Sequence, residues 1–508
     1  MADGLETELK LAASPAMLDA LRDHPLLAAA PLADAEREMT LVTRYFDTAD
    51  GALHRAGASL RLRECGAEAE QTFKHKAHGD GGLRRGEWNV PAIAAEPDPA
   101  AFPTEPRMLL QDLLGGAWPV PLAATHITRT TRRLRFGAST IEAAFDRGTI
   151  EAGGHSEPAC ELELELIEGD AADLFALARQ LPLGPELGWS VASKAERGHA
   201  LALRLPFSAV RAGDVPLTPA MSVGDGFRAI AWNCLAQLLG NYRAVIAGGD
   251  PDAVHQSRVA IRRLRAAFSL FGAAVADDHT APFRAEWKAA AAGLGPVRDL
   301  DVLIERIAAS GDANDDLLAP LRARRAAALG EAQALLAGSQ FQQLLLGFAE
   351  WLERDMPPAP APLAPFAAEV LRRRRRKLVR GEALASLPDE ALHALRIQGK
   401  KLRYAVEFFA ALYPGERRRA FGKALGKLQE ALGGVHDLAL AQHAPDALFA
   451  DLDPIAAAGH AAQLSALLAA HGPKRKRLIA AAAKALDRVA HAPAWWKARK
   501  AARPAAAD

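Results

Sequence analysis

The sequence predicts a multidomain α+β protein. A strand-rich N-terminal part closes into a barrel with a charged interior, and an all-helical C-terminal part is built from two repeated helical bundles. Three observations carry this. Charged residues stand at alternate positions in strand-length segments up to about residue 205. From about residue 221 the chain is rich in Ala, Leu and Arg with helical periodicity. Two motifs of that second part recur in one register, about 138 residues apart.

Length and composition bound the problem first. At 508 residues the chain holds two or three domains, each large enough to bury its own core. The three cysteines, Cys65, Cys160 and Cys234, are far apart and odd in number, which implies neither a disulfide framework nor a thiolate metal site. The first residues include acidic ones and no apolar h-region, so no signal peptide is expected. No apolar run approaches the roughly 20 residues of a membrane span. A reducing, cytoplasmic setting is expected, with no membrane partner. The net charge of +1 conceals an asymmetry. Residues 1–205 hold 21 Lys and Arg against 31 Asp and Glu, and residues 206–508 hold 41 against 30, so a long anionic partner suits the second part.

The pattern begins at Glu6-Thr7-Glu8-Leu9-Lys10, where strand geometry puts Glu6, Glu8 and Lys10 on one face. Strands are expected at 4–12, 40–47, 58–65, 70–76, 85–90, 125–136, 139–146 and 160–167, and helices at 14–23, 106–114 and 170–181. Arg61 and Arg63 flank Leu62; Lys74 and Lys76 share a face, with Glu87 on the next strand. Arg129 and Arg133 share another, as do Glu142 and Asp146. Glu161, Glu163 and Glu165 alternate with Leu162, Leu164 and Leu166, and Lys194 follows a Gly-rich turn. Turned to water, these faces would form an ordinary solvated sheet. That arrangement leaves the alternate Leu, Ile and Phe positions unexplained, and the sorting of carboxylates and cations onto different strands. A barrel with charges inside and helices over its apolar outer face explains both. Such a lumen is costly to desolvate when dry. Water-filled, it suits a multiply charged guest: Arg and Lys bind phosphate oxygens, while hard carboxylates hold Mg²⁺ or Mn²⁺ that bridges to them.

Glu6-x-Glu8-x-Lys10, Tyr45-Phe46-Asp47-Thr48, Leu60-Arg-Leu-Arg63, Phe73-Lys74, Glu161-Leu-Glu163-Leu and Ser193-Lys194 resemble, in that order, the CYTH domain of the triphosphate tunnel metalloenzymes. The resemblance spans about residues 1–205. It implies an eight-stranded antiparallel tunnel that hydrolyses a triphosphate with a divalent metal, by attack of water rather than through a covalent enzyme intermediate. Carried over by position, Lys10, Arg61, Arg63, Lys74, Arg129 and Lys194 contact phosphates. Glu6, Glu8, Asp146, Glu161 and Glu163 serve the metals, and Glu6, Glu8 and Lys10 form the implied catalytic set. Lys76, Arg133, Glu142 and Glu165 share faces with these and rank second. Arg129 is chosen for its spacing to Asp146, and Arg132 and Arg133 stand as alternatives for the inward position. Tyr45–Thr48 reads as structural, with Asp47 starting a turn; His75 and His78 read as surface residues. No GxxxxGK[ST] loop occurs, which argues against a P-loop phosphatase.

Residues 206–220 read as a linker, and Pro357–Pro362 divides the helical part into halves at about 221–356 and 363–500. His255-x-x-Arg258-x-x-x-Arg262-Arg263-Leu264-Arg265 recurs as His393-x-x-Arg396-x-x-x-Lys400-Lys401-Leu402-Arg403. Val297-Arg298-Asp299-Leu300 recurs as Val435-His436-Asp437-Leu438. Helical spacing aligns His255, Arg258, Arg262 and Arg265 in one stripe, and His393, Arg396, Lys400 and Arg403 in its copy. A lone stripe of this kind is ordinary solvated surface. Two copies related by pseudo-symmetry suit a groove whose aligned cations a polyanion would relieve. The stripe, its repeat and the two Asp elements resemble the CHAD domain over about residues 220–500, which implies binding of inorganic polyphosphate and a location at polyphosphate granules. Asp299 and Asp437 are expected to orient Arg or His side chains.

Two basic runs, Arg372–Lys377 and Lys474–Arg477, lack interleaved aromatic residues, so a nucleic-acid partner is not favoured. Trp495-Trp496 is expected to dock the tail on a bundle. The function expected is metal-dependent hydrolysis of inorganic triphosphate to diphosphate and phosphate, with the helical part binding polyphosphate. A nucleoside or thiamine triphosphatase and an adenylate cyclase share the tunnel logic. A non-catalytic polyphosphate-binding scaffold is the alternative from another class.

Overall fold

The computed structural model describes residues 5–28, 36–76, 84–92, 96–204, 207–309, 315–381, 383–443, 448–449, 453–471 and 475–496. The side chains of Lys76 and Asp437, and residues His78 and Lys474, lie outside that set.

The N-terminal part is one antiparallel sheet of nine strands: β1 (Leu5–Ala13), β2 (Arg37–Asp47), β3 (Ala58–Cys65), β4 (Glu68–Lys76), β5 (Arg84–Pro91), β6 (Val120–Phe136), β7 (Ser139–Ala152), β8 (His155–Glu168) and β9 (Leu187–Trp189). The order β5-β4-β3-β2-β6-β7-β8-β1 is closed by β5 pairing back onto β1, which makes an eight-stranded barrel. The closure is short: Leu5, Glu6 and Thr7 pair with Gly86, Arg85 and Arg84. Further along the same edge, Leu11–Ala13 pairs with β9 instead.

Side-chain alternation sorts the two faces as expected. Leu60, Leu62 and Phe73 point outward and are buried with Phe102, Leu110 and Leu114 beneath the helix Thr104–Leu114. Leu9, Leu11, Leu162 and Leu164 are buried on the outer face of β1 and β8, where the helix Ala172–Ala178 packs. The opposite positions, Glu8, Lys10, Arg61, Lys74, Glu161 and Glu163, face the lumen. Contacts that skip a strand establish this: Lys74 on β4 reaches Glu6 on β1, and Arg129 on β6 reaches Glu163 on β8.

Part of the inner face is apolar. Leu41, Ile127, Ile150 and Ala159 cluster with Leu201 of the helix Lys194–Leu203, which therefore packs inside the barrel wall. Gly198 permits this approach, since a Cβ there would stand 2.5 Å from the Cβ of Ala123. Gly198→Val is expected to push the helix out and cost about 1–3 kcal/mol, read as a lowered thermal midpoint. An unchanged midpoint would contradict the packing. Gly148 plays the matching part on β7, where a Cβ would meet the His126 carbonyl oxygen at 1.8 Å.

After residues 207–218, which form neither helix nor strand, the elements among the described residues are helices, with an isolated bridge between Ser222 and Pro362. The main helices are Val223–Gly248, Pro251–Phe271, Thr280–Gly293, Gly295–Ala309, Asp315–Ala337, Ser339–Glu350, Leu363–Val379, Asp389–Phe408, Glu416–His443, Pro454–His471 and Arg475–His491. None among the described residues is long and apolar enough to cross a membrane. By internal contacts the chain forms two compact units, one of residues 1–213, 232–260 and 332–356, the other of residues 214–231, 261–331 and 357–508. In the first, Gln342 accepts the backbone N–H of Trp189 at 2.9 Å and so holds β9. In the second, Trp495 and Trp496 pack edge-on against Phe421, and Arg375 lies over Trp496, so the tail docks on the bundle. The arginine run points to several sides: Arg372 pairs with Glu369, while Arg374 donates to the Ser269 carbonyl.

Candidate active site: a charged tunnel

Two walls of the lumen carry different chemistry. Register on β7 and β8 sets Asp146 opposite Glu161, with Glu163 two residues further along β8. All three are buried, and each offers a carboxylate oxygen within 4.8 Å of the others. Three cations hold this nest together. Lys194 Nζ lies 2.8, 2.7 and 3.1 Å from Asp146, Glu161 and Glu163. Arg129 forks onto both Asp146 oxygens at 2.6 Å and also reaches Glu163. Lys10 Nζ sits 3.0 Å from Glu163 and 3.7 Å from Glu8. Lys194 is fixed by the start of its helix, where Ser193 and Glu196 exchange both bonds of a capping box.

The electrostatics follow from this packing. Burial disfavours ionised Glu163, but Lys10, Lys194 and Arg129 overcome it and hold the carboxyl well below its usual range. Burial likewise opposes the charge on Asp146, and Lys194 and Arg129 outweigh it. Against its own burial, Lys194 is held protonated by Asp146, Glu161 and Glu163.

The second wall is cationic and less satisfied. Arg61 and Arg63 project inward from β3, and Arg85 from β5; among the described residues the buried Nε atoms of all three have no hydrogen-bond partner. Arg61 Nη2 donates to Glu87 at 3.4 Å, while Arg63 reaches Glu70 and Arg85 reaches Glu8 only at 3.9 Å, the edge of ion-pair range. Burial, with Arg61 and Arg129 nearby, brings Arg63 down to about 10. A cation so placed is short of negative charge, and an anionic guest would supply it. Lys74 bridges Glu6 and Glu87 at 2.6 and 2.7 Å. Burial and the neighbouring Glu8 push the Glu6 carboxyl up to about 8. Burial, Glu142 and Glu8 push Glu165 up to about 7.

The tunnel residues ranked first, Glu6, Glu8, Lys10, Arg61, Arg63, Lys74, Arg129, Asp146, Glu161, Glu163 and Lys194, thus meet in one lumen, in a grouping the sequence did not anticipate. Lys10, Arg129 and Lys194 sit among the carboxylates, whereas Glu6 and Glu8 lie beside Lys74, Lys10 and Arg85. Of the three candidate arginines on β6, Arg129 joins the nest. Arg132 lies over Phe145 and pairs with Glu36, and Arg133 is exposed with Glu142 at 3.0 Å. Asp47 starts the turn as expected, its buried carboxylate accepting the N–H groups of Thr48, Leu53 and His54. Sequence reasoning missed Arg85, which shares the inner face of β5 with Glu87, and Arg197. The alternation Arg85-Gly-Glu87 was the available signal for the first.

In the helical part, His255, Arg258, Arg262 and Arg265 run along the helix Pro251–Phe271, with Arg265 exposed. His393, Arg396, Lys400 and Arg403 run along Asp389–Phe408. Arg262 Nε donates to the Tyr404 hydroxyl at 2.5 Å, Arg403 pairs with Glu407 at 3.1 Å, and His393 Nδ1 faces His436 Nδ1 at 3.3 Å.

Comparison with known proteins fits this geometry. The CYTH domain family model matches residues 4–199, and the CHAD domain family model matches residues 229–446. The chain carries a CYTH domain followed by a CHAD domain. A Haemophilus influenzae protein named inorganic triphosphatase is 34% identical over 204 residues, which is 39% of this chain and 54% of that protein. The chain thus matches about half the length of that relative. An uncharacterized Mycobacterium tuberculosis protein is 28% identical over 421 residues, covering 76% of this chain and 79% of its own. Among solved structures, the CHAD domain from the plant Ricinus communis aligns at 29% identity and TM-score 0.48, covering 54% of this chain and 96% of that one.

Proposed function

We propose that the CYTH tunnel hydrolyses inorganic triphosphate to diphosphate and phosphate with Mg²⁺ or Mn²⁺, and that the CHAD domain binds polyphosphate. The observation that carries the first part is the pairing of a buried three-carboxylate nest with a wall of guanidinium groups whose Nε atoms lack partners among the described residues. The activity named for the Haemophilus influenzae relative supports it.

The donor set fits the metal. Asp146, Glu161 and Glu163 offer hard, anionic oxygens within 4.8 Å of one another, as Mg²⁺ and Mn²⁺ prefer. When bound, such a cation neutralises phosphate charge and lowers the pKa of a water ligand. The chain's own residues do the rest. Arg61, Arg63 and Arg85 donate to non-bridging phosphate oxygens, and Lys74 adds charge beside them. Lys10, held protonated against its burial by Glu163 and Glu8, is poised between the carboxylates and the phosphates. Fixed charges in an enclosed lumen stabilise the charge that spreads over the phosphoryl oxygens at the transition state, without reorganisation.

Phosphate release from tripolyphosphate, long-chain polyphosphate, ATP and thiamine triphosphate tests this, each with Mg²⁺ and with Mn²⁺. Tripolyphosphate is expected to be turned over fastest and only with metal. Release from none of them, or preference for ATP, would overturn the assignment. For the CHAD domain, Arg262→Glu combined with Lys400→Glu is expected to weaken long-chain polyphosphate binding about tenfold or more and to reduce its salt dependence. Equal affinity in variant and parent would leave the stripe as plain surface.

A further inference from the structure

Glu161 is held from two sides. Its Oε2 faces the nest, 2.7 Å from Lys194 Nζ, while its Oε1 accepts from Arg197 Nη1 at 3.0 Å. Lys194 and Arg197 lie three residues apart on one helix, so the same rigid element grips both oxygens. The rest of the Arg197 fork is also committed: Nε donates to Glu157 Oε1 at 2.6 Å and Nη2 to the Pro158 carbonyl at 2.6 Å. Glu157 Oε1 lies in turn 3.5 Å from Arg243 Nη2, and the Arg243 guanidinium stacks over Phe207 at 4.1 Å. Arg243 belongs to the helix Val223–Gly248, within the segment matched by the CHAD domain. Charges alternate along this chain from the tunnel carboxylate to a CHAD residue, and all of it lies in the first compact unit.

We infer that Arg197 is a positioning residue that fixes the Glu161 carboxylate with Oε2 toward the metal, and that Arg243 steadies Arg197 through Glu157, so that a CHAD residue tunes metal affinity in the tunnel. The inference rests on the metal-dependent reading above. It makes a prediction of opposite sign to plain electrostatics. Arg197 places a positive charge beside a cation site, so its removal should tighten metal binding if charge alone mattered. If Arg197 instead orients a ligand, its removal weakens binding, as loss of partners that orient metal ligands generally does.

The test is direct Mn²⁺ titration of the full-length protein, following the free-ion signal by electron paramagnetic resonance, with thermal melts to confirm folding. Arg197→Gln is expected to raise the Mn²⁺ Kd about tenfold, and the Mn²⁺ concentration for half-maximal turnover should rise with it. Arg243→Gln is expected to move the Kd in the same direction by a smaller factor. Equal or tighter Mn²⁺ binding in folded Arg197→Gln overturns the inference. If that variant does not fold, Arg197→Lys decides, because it keeps the charge and loses the fork: weaker Mn²⁺ binding supports the relay, and equal or tighter binding overturns it. Glu163→Gln separates the two levels. If it titrates like the parent, the metal reading falls and takes the relay with it. If it loses Mn²⁺ while the Arg197 variants bind like the parent, the relay alone falls.

Discussion

Glu163→Gln is expected to lower turnover of tripolyphosphate by about 10²–10³-fold, as large as the loss on removing one preorganised oxyanion-hole donor. Glu163 is the hub of the nest, with Lys10 at 3.0 Å, Lys194 at 3.1 Å and Arg129 in contact. Gln keeps the shape and one acceptor oxygen but removes the negative charge. A metal site then has two anionic ligands, Asp146 and Glu161, facing the same three cations. Steady-state rates across a range of Mn²⁺ concentrations measure the loss, and added metal should recover only part of it. Turnover within threefold of the parent would remove Glu163 from the site.

Lys194→Met should produce the largest stability change. Lys194 Nζ lies within 3.1 Å of three carboxylates, and its side chain is nearly fully enclosed. Methionine fills similar space without the charge. Arg129, Lys10 and Arg197 remain, but Asp146, Glu161 and Glu163, their oxygens within 4.8 Å, lose the cation that touches all three and repel one another more strongly. Stripping the partner from buried charges costs about 3–5 kcal/mol, which calorimetry of metal-free protein reads as an early transition of the unit holding the tunnel. Mn²⁺ should reverse much of this, because a ligand that binds only the folded state stabilises it. The metal-induced rise in midpoint is expected to be larger in the variant than in the parent. Equal midpoints with and without metal, in both proteins, would contradict the arrangement.

The lumen was legible because two signals coincided in one period. Glu6, Glu8 and Lys10, Arg61 and Arg63, and Glu161 and Glu163 each alternate with leucines, and only a closed sheet with charge inside satisfies both sets. Grouping within the lumen was not legible, since it depends on register across strands. Asp146 meets Glu161 because β7 and β8 pair in that register, and no local pattern specifies it. The same holds for the short closure of β5 onto β1 and for β9, whose three residues are too few to show a period. Spacing to Asp146 singles out Arg129, whereas what holds Arg132 on the outer face, Phe145 and Glu36, has no signal in the local sequence. Arg197 stayed hidden for a different reason: it acts from a helix, where its three-residue spacing from Lys194 gains meaning only once Glu161 is placed beside both.

The helical repeat was read from two motifs recurring at one offset, and the two stripes fall on helices as expected. Their local partners were not foreseen. Arg262 engages Tyr404, and His393 faces His436, so the two copies are not equivalent in detail. Where His436 stands in the second copy, the first has Arg298.

The most direct test of the central claim is an anomalous difference map from crystals grown with Mn²⁺ and a slowly hydrolysed triphosphate analogue. A manganese peak is expected among Asp146, Glu161 and Glu163, with the phosphate chain running past Arg61, Arg63, Lys74 and Arg85. Manganese and phosphate ordered elsewhere, with only water between those two walls, would contradict it.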